Sequence, residues 1–148
     1  MNERFETFTV LINRLSRNVR KIKNQAFAEY NLKSPHVSCL YYLYLSQELT
    51  ASELCEKCEE DKATISRALD HLEQNGYLSQ RSNDGKRYKY PLILTEQGME
   101  LGRKIANTID QVLQETSIGL SDSERQEFYR CLAIISKNLD TAANNFHI

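Results

Sequence analysis

Turn-forming residues are scarce in this sequence. Its 148 residues include five glycines and two prolines, which disfavours a fold rich in strands and turns and favours helices. No apolar run approaches the roughly 18 residues that a membrane span needs, and the charged start, MNERFE, lacks a signal-peptide core. We therefore expect a cytoplasmic protein without a membrane partner, folded as a single domain over residues 1–148.

An excess of charge of one sign is also lacking. The chain has 19 Lys and Arg against 20 Asp and Glu, a net charge of −1. This total neither favours nor excludes nucleic acid, because the position of the charge decides. No Ser-His-Asp or Cys-His arrangement and no glycine-rich phosphate loop appears, so we do not expect an enzyme.

The cysteines are few and do not form a metal-binding pattern. They are Cys39, Cys55, Cys58 and Cys131. The Cys55-x-x-Cys58 spacing could serve a redox or metal site, but there is no second C-x-x-C motif and the histidines are scattered. We expect packing as the main role of these cysteines, and no cofactor. A thiol or metal role remains the alternative.

Both ends of the chain are amphipathic. Apolar residues recur in steps of three and four from about Phe5 to Tyr30, which predicts one long helix. Ser121-x-x-Glu124 is a capping box that opens the last helix. Such apolar faces need a partner, which predicts dimerisation through residues 1–33 and 115–148. The residues expected at the interface are Phe8, Leu11, Leu15, Phe128, Leu132, Ile135 and Leu139. The alternative is a monomer whose first and last helices pack on each other.

The first helix has a basic side. No acid occurs from Thr7 to Ala28, whereas Arg14, Arg17, Arg20, Lys21 and Lys23 all lie there. Charge of one sign on a helix flank is commonly just solvated. The alternative is a surface that faces phosphate or a small anion.

Three helices follow in the middle of the chain. Ser34 is expected as the N-cap of the first, with Pro35 at its first position and a buried face of Val37, Leu40, Tyr41, Tyr44 and Leu45. Thr50 and Glu53 form a capping box for the second. Asp61 is expected to cap the third, which ends at Asn75-Gly76. Thr95 is expected to cap a long helix further along the chain.

The third of these helices has an unusual exposed side. Ile65, Ala68, Leu69 and Leu72 form its buried stripe. At 100° per residue the other side carries Ala63, Arg67, Asp70, His71 and Gln74, flanked by Thr64 and Ser66. Most of these residues are small or form hydrogen bonds, which is uncommon for a merely solvated surface.

A basic hairpin is predicted next. Residues 77–81 alternate apolar and polar side chains, residues 87–94 predict a second strand, and the Asp84-Gly85 step between them is a strong hairpin signal. Residues 81–89 carry a net charge of +3. Two short helices joined by a tight turn and followed by a hairpin predict a winged helix-turn-helix over residues 34–95, in a fold that is otherwise mainly α.

These motifs resemble one family. Residues 49–54 (LTASEL), 61–67 (DKATISR) and 72–78 (LEQNGYL), the wing 84–87 (DGKR) and residues 94–98 (LTEQG) look like the MarR family of bacterial transcriptional regulators. The resemblance covers essentially the whole chain. It implies a homodimer with interleaved terminal helices that binds a pseudo-palindromic operator in double-stranded DNA.

The resemblance also assigns roles to residues. Lys62, Thr64, Ser66 and Arg67 would read the major groove, and Arg87, braced by Asp84, would enter the minor groove. The complete set of expected DNA contacts is Lys62, Ala63, Thr64, Ser66, Arg67, His71, Arg81, Lys86 and Arg87. The wing is shorter than the usual form of the family.

The expected function is that of a sequence-specific regulator, a repressor released by a small anionic or phenolic effector. Arg14, Arg17, Tyr41, Tyr42 and Tyr44 could line the effector cleft, although tyrosines at helical spacing are more often core. One alternative is a thiol- or metal-responsive sensor of the same fold that uses Cys39 or Cys55 with Cys58. Another is a winged helix that contacts only proteins, against which the basic residues Lys62, Arg67 and Arg87 argue.

Overall fold

A computed structural model describes Arg4, residues 6–79 and residues 89–146. In these residues the structure is mainly helical. A π-helical turn over Glu6–Leu11 leads into helix α1 (Ile12–Ala26), and a short 3₁₀ turn covers Ala28–Tyr30. Helices α2 (Ser34–Leu45), α3 (Ala51–Cys58), α4 (Lys62–Gln74), α5 (Glu96–Thr116) and α6 (Asp122–Asn145) follow. The chain forms two compact units, which divide between Asn107 and Thr108, within α5.

The first predicted helix is shorter than its apolar pattern. We expected one helix from about Phe5 to Tyr30, but α1 ends at Ala26. The next residue, Phe27, is buried at 5% exposure, and Asn31 takes a left-handed conformation with φ of 56°. Helix α1 therefore ends where the following segment places Phe27 and Leu32 in the core.

Helix α2 begins one residue earlier than expected. Ser34 is its first residue rather than its N-cap. The backbone N–H of Ser34 donates to Asn24 Oδ1 at 2.7 Å. The backbone N–H of Lys33 donates to His36 Nδ1 at 2.9 Å. The start of α2 is thus held by an amide from α1 and by its own histidine.

The other caps are confirmed. Thr50 Oγ1 accepts from the Glu53 N–H at 3.3 Å, and the Thr50 N–H donates to Glu53 Oε2 at 2.8 Å. Asp61 Oδ1 accepts from the Thr64 N–H at 2.6 Å. Helix α4 ends at Gln74, and Gly76 has a φ of 78°. Thr95 Oγ1 accepts from the Gly98 N–H at 3.0 Å, and Ser121 and Glu124 form the predicted capping box of α6.

The core of the first unit lies between α2, α3 and α4, which pack on one another, while α1 packs on α2. The predicted stripe of α4 is confirmed, since Ile65, Ala68, Leu69 and Leu72 are all buried. Leu45 was expected in the core but is 55% exposed, whereas Cys39 and Leu43 are buried. The other buried side chains include Val37, Leu40, Ala51, Leu54, Leu78, Leu92, Leu101 and Ile105.

The described residues contain no β-strand. One isolated antiparallel bridge joins Leu78 to Leu94. Beside it the Ser79 N–H donates to the Ile93 carbonyl at 2.9 Å, and the Thr95 N–H donates to the Tyr77 carbonyl at 3.1 Å. Residues 80–88 of the expected hairpin, which include Arg81, Asp84, Lys86 and Arg87, lie outside the described residues.

Candidate nucleic-acid interface

Helix α4 presents one face to solvent and buries the other. The side chains of its apolar stripe lie in the core and are only 0–2% exposed; they are Ile65, Ala68, Leu69 and Leu72. The opposite face begins at the N-terminus of the helix. Of its predicted DNA contacts, Lys62, Ala63 and Arg67 are exposed, and Thr64, Ser66 and His71 are half-buried. The structure therefore brings the first five of these residues together on the first two turns.

The first turn of α4 is ordered by hydrogen bonds. Asp61 accepts from the Thr64 N–H, and Arg67 Nη2 donates to Thr64 Oγ1 at 3.3 Å. The pKa of Asp61 is lowered, chiefly by the hydrogen bonds from Thr64 and further by the positive charge of Arg67. A charged Asp61 next to Thr64 and Arg67 orients the side chains that start the exposed face.

His71 differs from the other members of this face. Its ring stacks on His36, with centroids 4.2 Å apart and planes 19° from parallel. Its Nε2 lies 3.0 Å from the Asn31 carbonyl oxygen. Burial, followed by the charges of His71 and Lys33, lowers the pKa of His36 to about 4. The ring of His71 is thus engaged with the start of α2, and its contact with DNA stays a prediction.

The predicted wing begins and ends at the C-terminal end of α4. Arg81, Lys86, Arg87 and the brace Asp84 lie outside the described residues. Ser79 and Ile93, which flank the segment, are joined by a backbone hydrogen bond of 2.9 Å. Thr95 Oγ1 donates to the Gly76 carbonyl at 2.6 Å. The base of this segment is therefore fastened to the residues that end α4.

The terminal helices expose their apolar residues in the single chain. Neither α1 nor α6 buries any residue. Of the residues predicted at the dimer interface, Ile135 is half-buried. The others are exposed: Phe8, Leu11, Leu15, Phe128, Leu132 and Leu139.

The basic side of α1 and the tyrosines of α2 have separate surroundings. Arg14, Arg17, Arg20 and Lys21 are exposed, whereas Lys23 Nζ donates to Ser38 Oγ at 3.0 Å. Tyr41 and Tyr42 meet edge to face, with centroids 5.2 Å apart. Tyr44 packs against Gly102 of α5.

The cysteines of α2 and α3 lie in different surroundings. Cys39 of α2 is buried, whereas Cys55 and Cys58 of α3 are half-buried. The neighbouring Cys58 and burial raise the pKa of the Cys39 thiol. Within residues 4, 6–79 and 89–146, no group of three or more His, Cys, Asp and Glu side chains could hold a metal ion.

Comparison with known proteins agrees with this fold. A family model described as the MarR family matches residues 30–87. The HTH-type transcriptional regulator BilQ of Clostridioides difficile is 24% identical over 95% of this chain and 95% of its own. The structure of NMB1585, a MarR family regulator from Neisseria meningitidis, has a TM-score of 0.80 and 17% identity, over 97% of this chain and 99% of that one.

A structure with DNA is also similar. The complex of Staphylococcus aureus MepR with DNA has a TM-score of 0.78 and 20% identity, and covers 90% of this chain and 97% of that chain. With the family model and the shared helix-turn-helix, these likenesses confirm the resemblance seen in the sequence. Residues 30–87 match the MarR family, and the fold of the chain is similar to that of solved MarR family regulators.

Among the described residues, no helix is both long and apolar enough to cross a membrane.

Proposed function

We propose that this chain is a sequence-specific DNA-binding regulator that acts as a homodimer on a pseudo-palindromic operator. The observation that carries the proposal is the exposed side of the first half of α4. It carries Lys62, Ala63, Thr64, Ser66 and Arg67, and the opposite side of the helix is the buried apolar stripe. A helix seated in this way can place its N-terminal side chains against base edges in the major groove, which is about 12 Å wide. The MepR complex with DNA supports this use of the fold.

Within this surface we assign separate roles. Arg67 is the best candidate for a bidentate contact to guanine, because its guanidinium carries paired donors and is exposed. Lys62 is suited to phosphate, as a flexible point charge. We propose that residues 77–94 form the wing, a small β-hairpin, whose Arg81, Lys86 and Arg87 contact phosphates or the minor groove. His71 is the weakest member of the set, because its ring already stacks on His36.

The homodimer is supported by the terminal helices. Burial of exposed apolar surface contributes about 25 cal/mol per Å², and α1 and α6 leave their apolar residues uncovered in one chain. A second copy of the same chain would cover them, and it would present two recognition helices about one DNA turn apart.

We further propose that the protein is a cytoplasmic repressor released by a small anionic or phenolic effector. The exposed guanidinium groups of Arg14 and Arg17 support an anionic ligand. Tyr41 and Tyr42 are half-buried and offer aromatic faces. Tyr44 is less suited, since it is packed against Gly102.

Selection of bound sequences from a random DNA pool tests the proposal. We expect one enriched pseudo-palindrome, and we expect Arg67→Ala to weaken binding to it by about 1–3 kcal/mol and to relax one position per half-site. Arg103→Ala, which removes the same charge from an exposed position of α5, is the matched control. Failure to enrich any sequence would contradict the proposed function. Equal weakening on every sequence would assign Arg67 to the DNA backbone instead.

A further inference from the structure

Three polar side chains follow one another along the start of helix α4. They are the N-cap Asp61, Thr64 in the first turn and Arg67 in the second. Residues three positions apart are neighbours on a helix surface. Asp61 Oδ1 accepts from the Thr64 N–H at 2.6 Å, and Thr64 Oγ1 accepts from Arg67 Nη2 at 3.3 Å. The carboxylate, the threonine and the guanidinium therefore form one connected row.

Thr64 is suited to hold Arg67 in place. Thr64 is half-buried, whereas Arg67 is exposed. A β-branched side chain has few χ1 rotamers in a helix, so the hydroxyl of Thr64 is fixed relative to the backbone. Ordering one long side chain on binding lowers affinity by about two- to twelvefold. A hydroxyl that already holds the guanidinium in the free protein removes part of this loss.

The contact with Thr64 leaves Arg67 able to bind a base. A guanidinium carries five N–H donors and no acceptor. One donor meets Thr64 Oγ1, and a bidentate contact to O6 and N7 of guanine needs only two others. The hydrogen bond within the protein and the contact with DNA are therefore compatible.

Asp61 acts on the same row through its charge. Its pKa is lowered, first by the hydrogen bonds from Thr64 and further by the positive charge of Arg67, so the carboxylate is charged at neutral pH. A negative charge at the end of a helix that enters a DNA groove is repelled by the phosphates on every sequence. The same charge attracts the guanidinium of Arg67 toward the first turn of α4.

We propose that Thr64 and Asp61 are positioning residues, which set the discrimination of guanine by Arg67 and do not themselves contact bases. This assignment rests on the proposed DNA-binding function and changes one part of it, since Thr64 was expected to read the major groove directly. It predicts that Thr64 affects base preference only while Arg67 is present. It also predicts that Asp61 lowers affinity for all DNA and raises the preference for one base.

A double-mutant cycle between Thr64 and Arg67 tests the first expectation. Affinity is measured for the selected operator and for the same operator without the guanine that Arg67→Ala no longer selects. Thr64→Val has the same shape without the hydroxyl, and we expect it to lower the preference for guanine by about two- to twelvefold. In the Arg67→Ala background the same substitution should have no further effect. Thr64→Ser keeps the hydroxyl and should keep the preference.

Ser66→Ala is the matched control for the cycle. Ser66 also lies on the exposed side of α4, but adjacent positions of a helix do not face each other. Its effect on operator affinity should therefore be the same with and without Arg67.

The second readout needs no DNA. Nitrogen-15 relaxation of the arginine Nε–H groups in the free protein reports how ordered each guanidinium is. We expect Arg67 to be ordered in the wild type and in Thr64→Ser. In Thr64→Val it should be as mobile as Arg103, an exposed arginine of α5. Thr50→Ala removes the cap of α3 instead and should leave Arg67 ordered, which separates this effect from the loss of a helix cap.

Asp61→Asn tests the role of the charge. Asparagine is as good an N-cap as aspartate, so the helix keeps its start. We expect this variant to bind DNA of unrelated sequence about twofold more tightly, since one charge is no longer repelled by phosphates. Its preference for guanine should be smaller than that of the wild type.

The outcomes separate this proposal from the proposed function. Additive effects of Thr64→Val and Arg67→Ala would show that Thr64 contacts DNA itself and would overturn the proposal, as would equal mobility of Arg67 in wild type and Thr64→Val. An Asp61→Asn protein with an unchanged preference for guanine would reduce Asp61 to a helix cap. If the wild type selected no operator, the proposed function would fail, while the relaxation measurement still decided whether Thr64 holds Arg67.

Discussion

Replacement of Gly98 by alanine should destabilise the first unit more than any other single methyl group added in α5. A Cβ atom built on Gly98 would lie 2.0 Å from the carbonyl oxygen of Tyr77 and 3.3 Å from Leu94 Cβ. Contacts below 3.0 Å essentially never occur, so α5 must move away from Tyr77 by at least about 1 Å. The same carbonyl accepts a hydrogen bond from the Thr95 N–H at 3.1 Å, which this movement would break.

The expected size of the effect follows from three contributions. Over-packing costs about 1–3 kcal/mol, and the top of that range applies because a backbone atom cannot rotate away. The broken hydrogen bond costs about 1 kcal/mol. Alanine recovers about 1 kcal/mol through its higher helix propensity. We therefore expect Gly98→Ala to lower the free energy of unfolding by about 3 kcal/mol.

Two further substitutions in α5 serve as comparisons. At Gly102 the nearest atoms to an added Cβ are Tyr44 Cβ at 2.7 Å, Tyr44 Cγ at 3.1 Å and the Leu40 carbonyl oxygen at 3.3 Å, so Gly102→Ala should cost about 1 kcal/mol. Arg103→Ala is exposed and should stay within about 0.5 kcal/mol of wild type. Urea unfolding at one fixed protein concentration measures all three, since a dimer's stability depends on concentration. If Gly98→Ala were as stable as wild type, or less harmful than Gly102→Ala, the close approach argued here would be wrong.

Three other predictions test the proposed surfaces. Replacing Lys86 and Arg87 together by alanine should weaken operator binding and reduce its salt dependence by about two released counterions. Sedimentation should still show a dimer, and an unchanged dependence of affinity on salt would show that the wing does not contact DNA. Leu132→Glu should dissociate the dimer and abolish binding to two half-sites. Gln126→Glu, at a polar position of the same helix, should leave sedimentation unchanged, and a Leu132→Glu protein that stays dimeric would show that the interface lies elsewhere. Because the pKa of His36 is lowered from 6.5 to about 4, the unfolded chain binds a proton first, and stability to urea should fall as pH drops from about 6.5 to about 4. His36→Asn keeps an acceptor for the Lys33 N–H and should fall less; an equal fall would exclude His36 as the cause.

The local features of this fold could be predicted from the sequence, and the non-local ones could not. Caps at Thr50, Asp61, Thr95 and Ser121 were correct because each hydrogen bond joins residues three positions apart. The end of α1 was predicted wrongly, because the apolar pattern continues to Tyr30 whereas Phe27 is buried in the core. Tertiary packing overrides the helical periodicity at that point.

Helix α2 shows a second limit. Its residues 37–45 are almost all apolar or aromatic, so periodicity cannot distinguish its buried side, and Leu45 proved exposed while Leu43 is buried. The stacked rings of His36 and His71 are 35 positions apart in the sequence and meet only because α2 packs on α4. The sequence shows these two histidines singly, and only the packing of the helices shows the pair.

The link between α3 and α4 restricts how any signal can reach DNA. The Glu59 N–H donates to the Glu56 carbonyl at 3.3 Å and the Glu60 N–H to the Cys55 carbonyl at 3.1 Å, and Asp61 then caps α4 directly. Below this turn the apolar stripe of α4 is fully buried, so α4 cannot slide on α2 without opening the core. A regulatory signal must therefore either move the whole helix-turn-helix as one body or deform this turn. A change in the spacing of the two halves of a dimer is of the first kind.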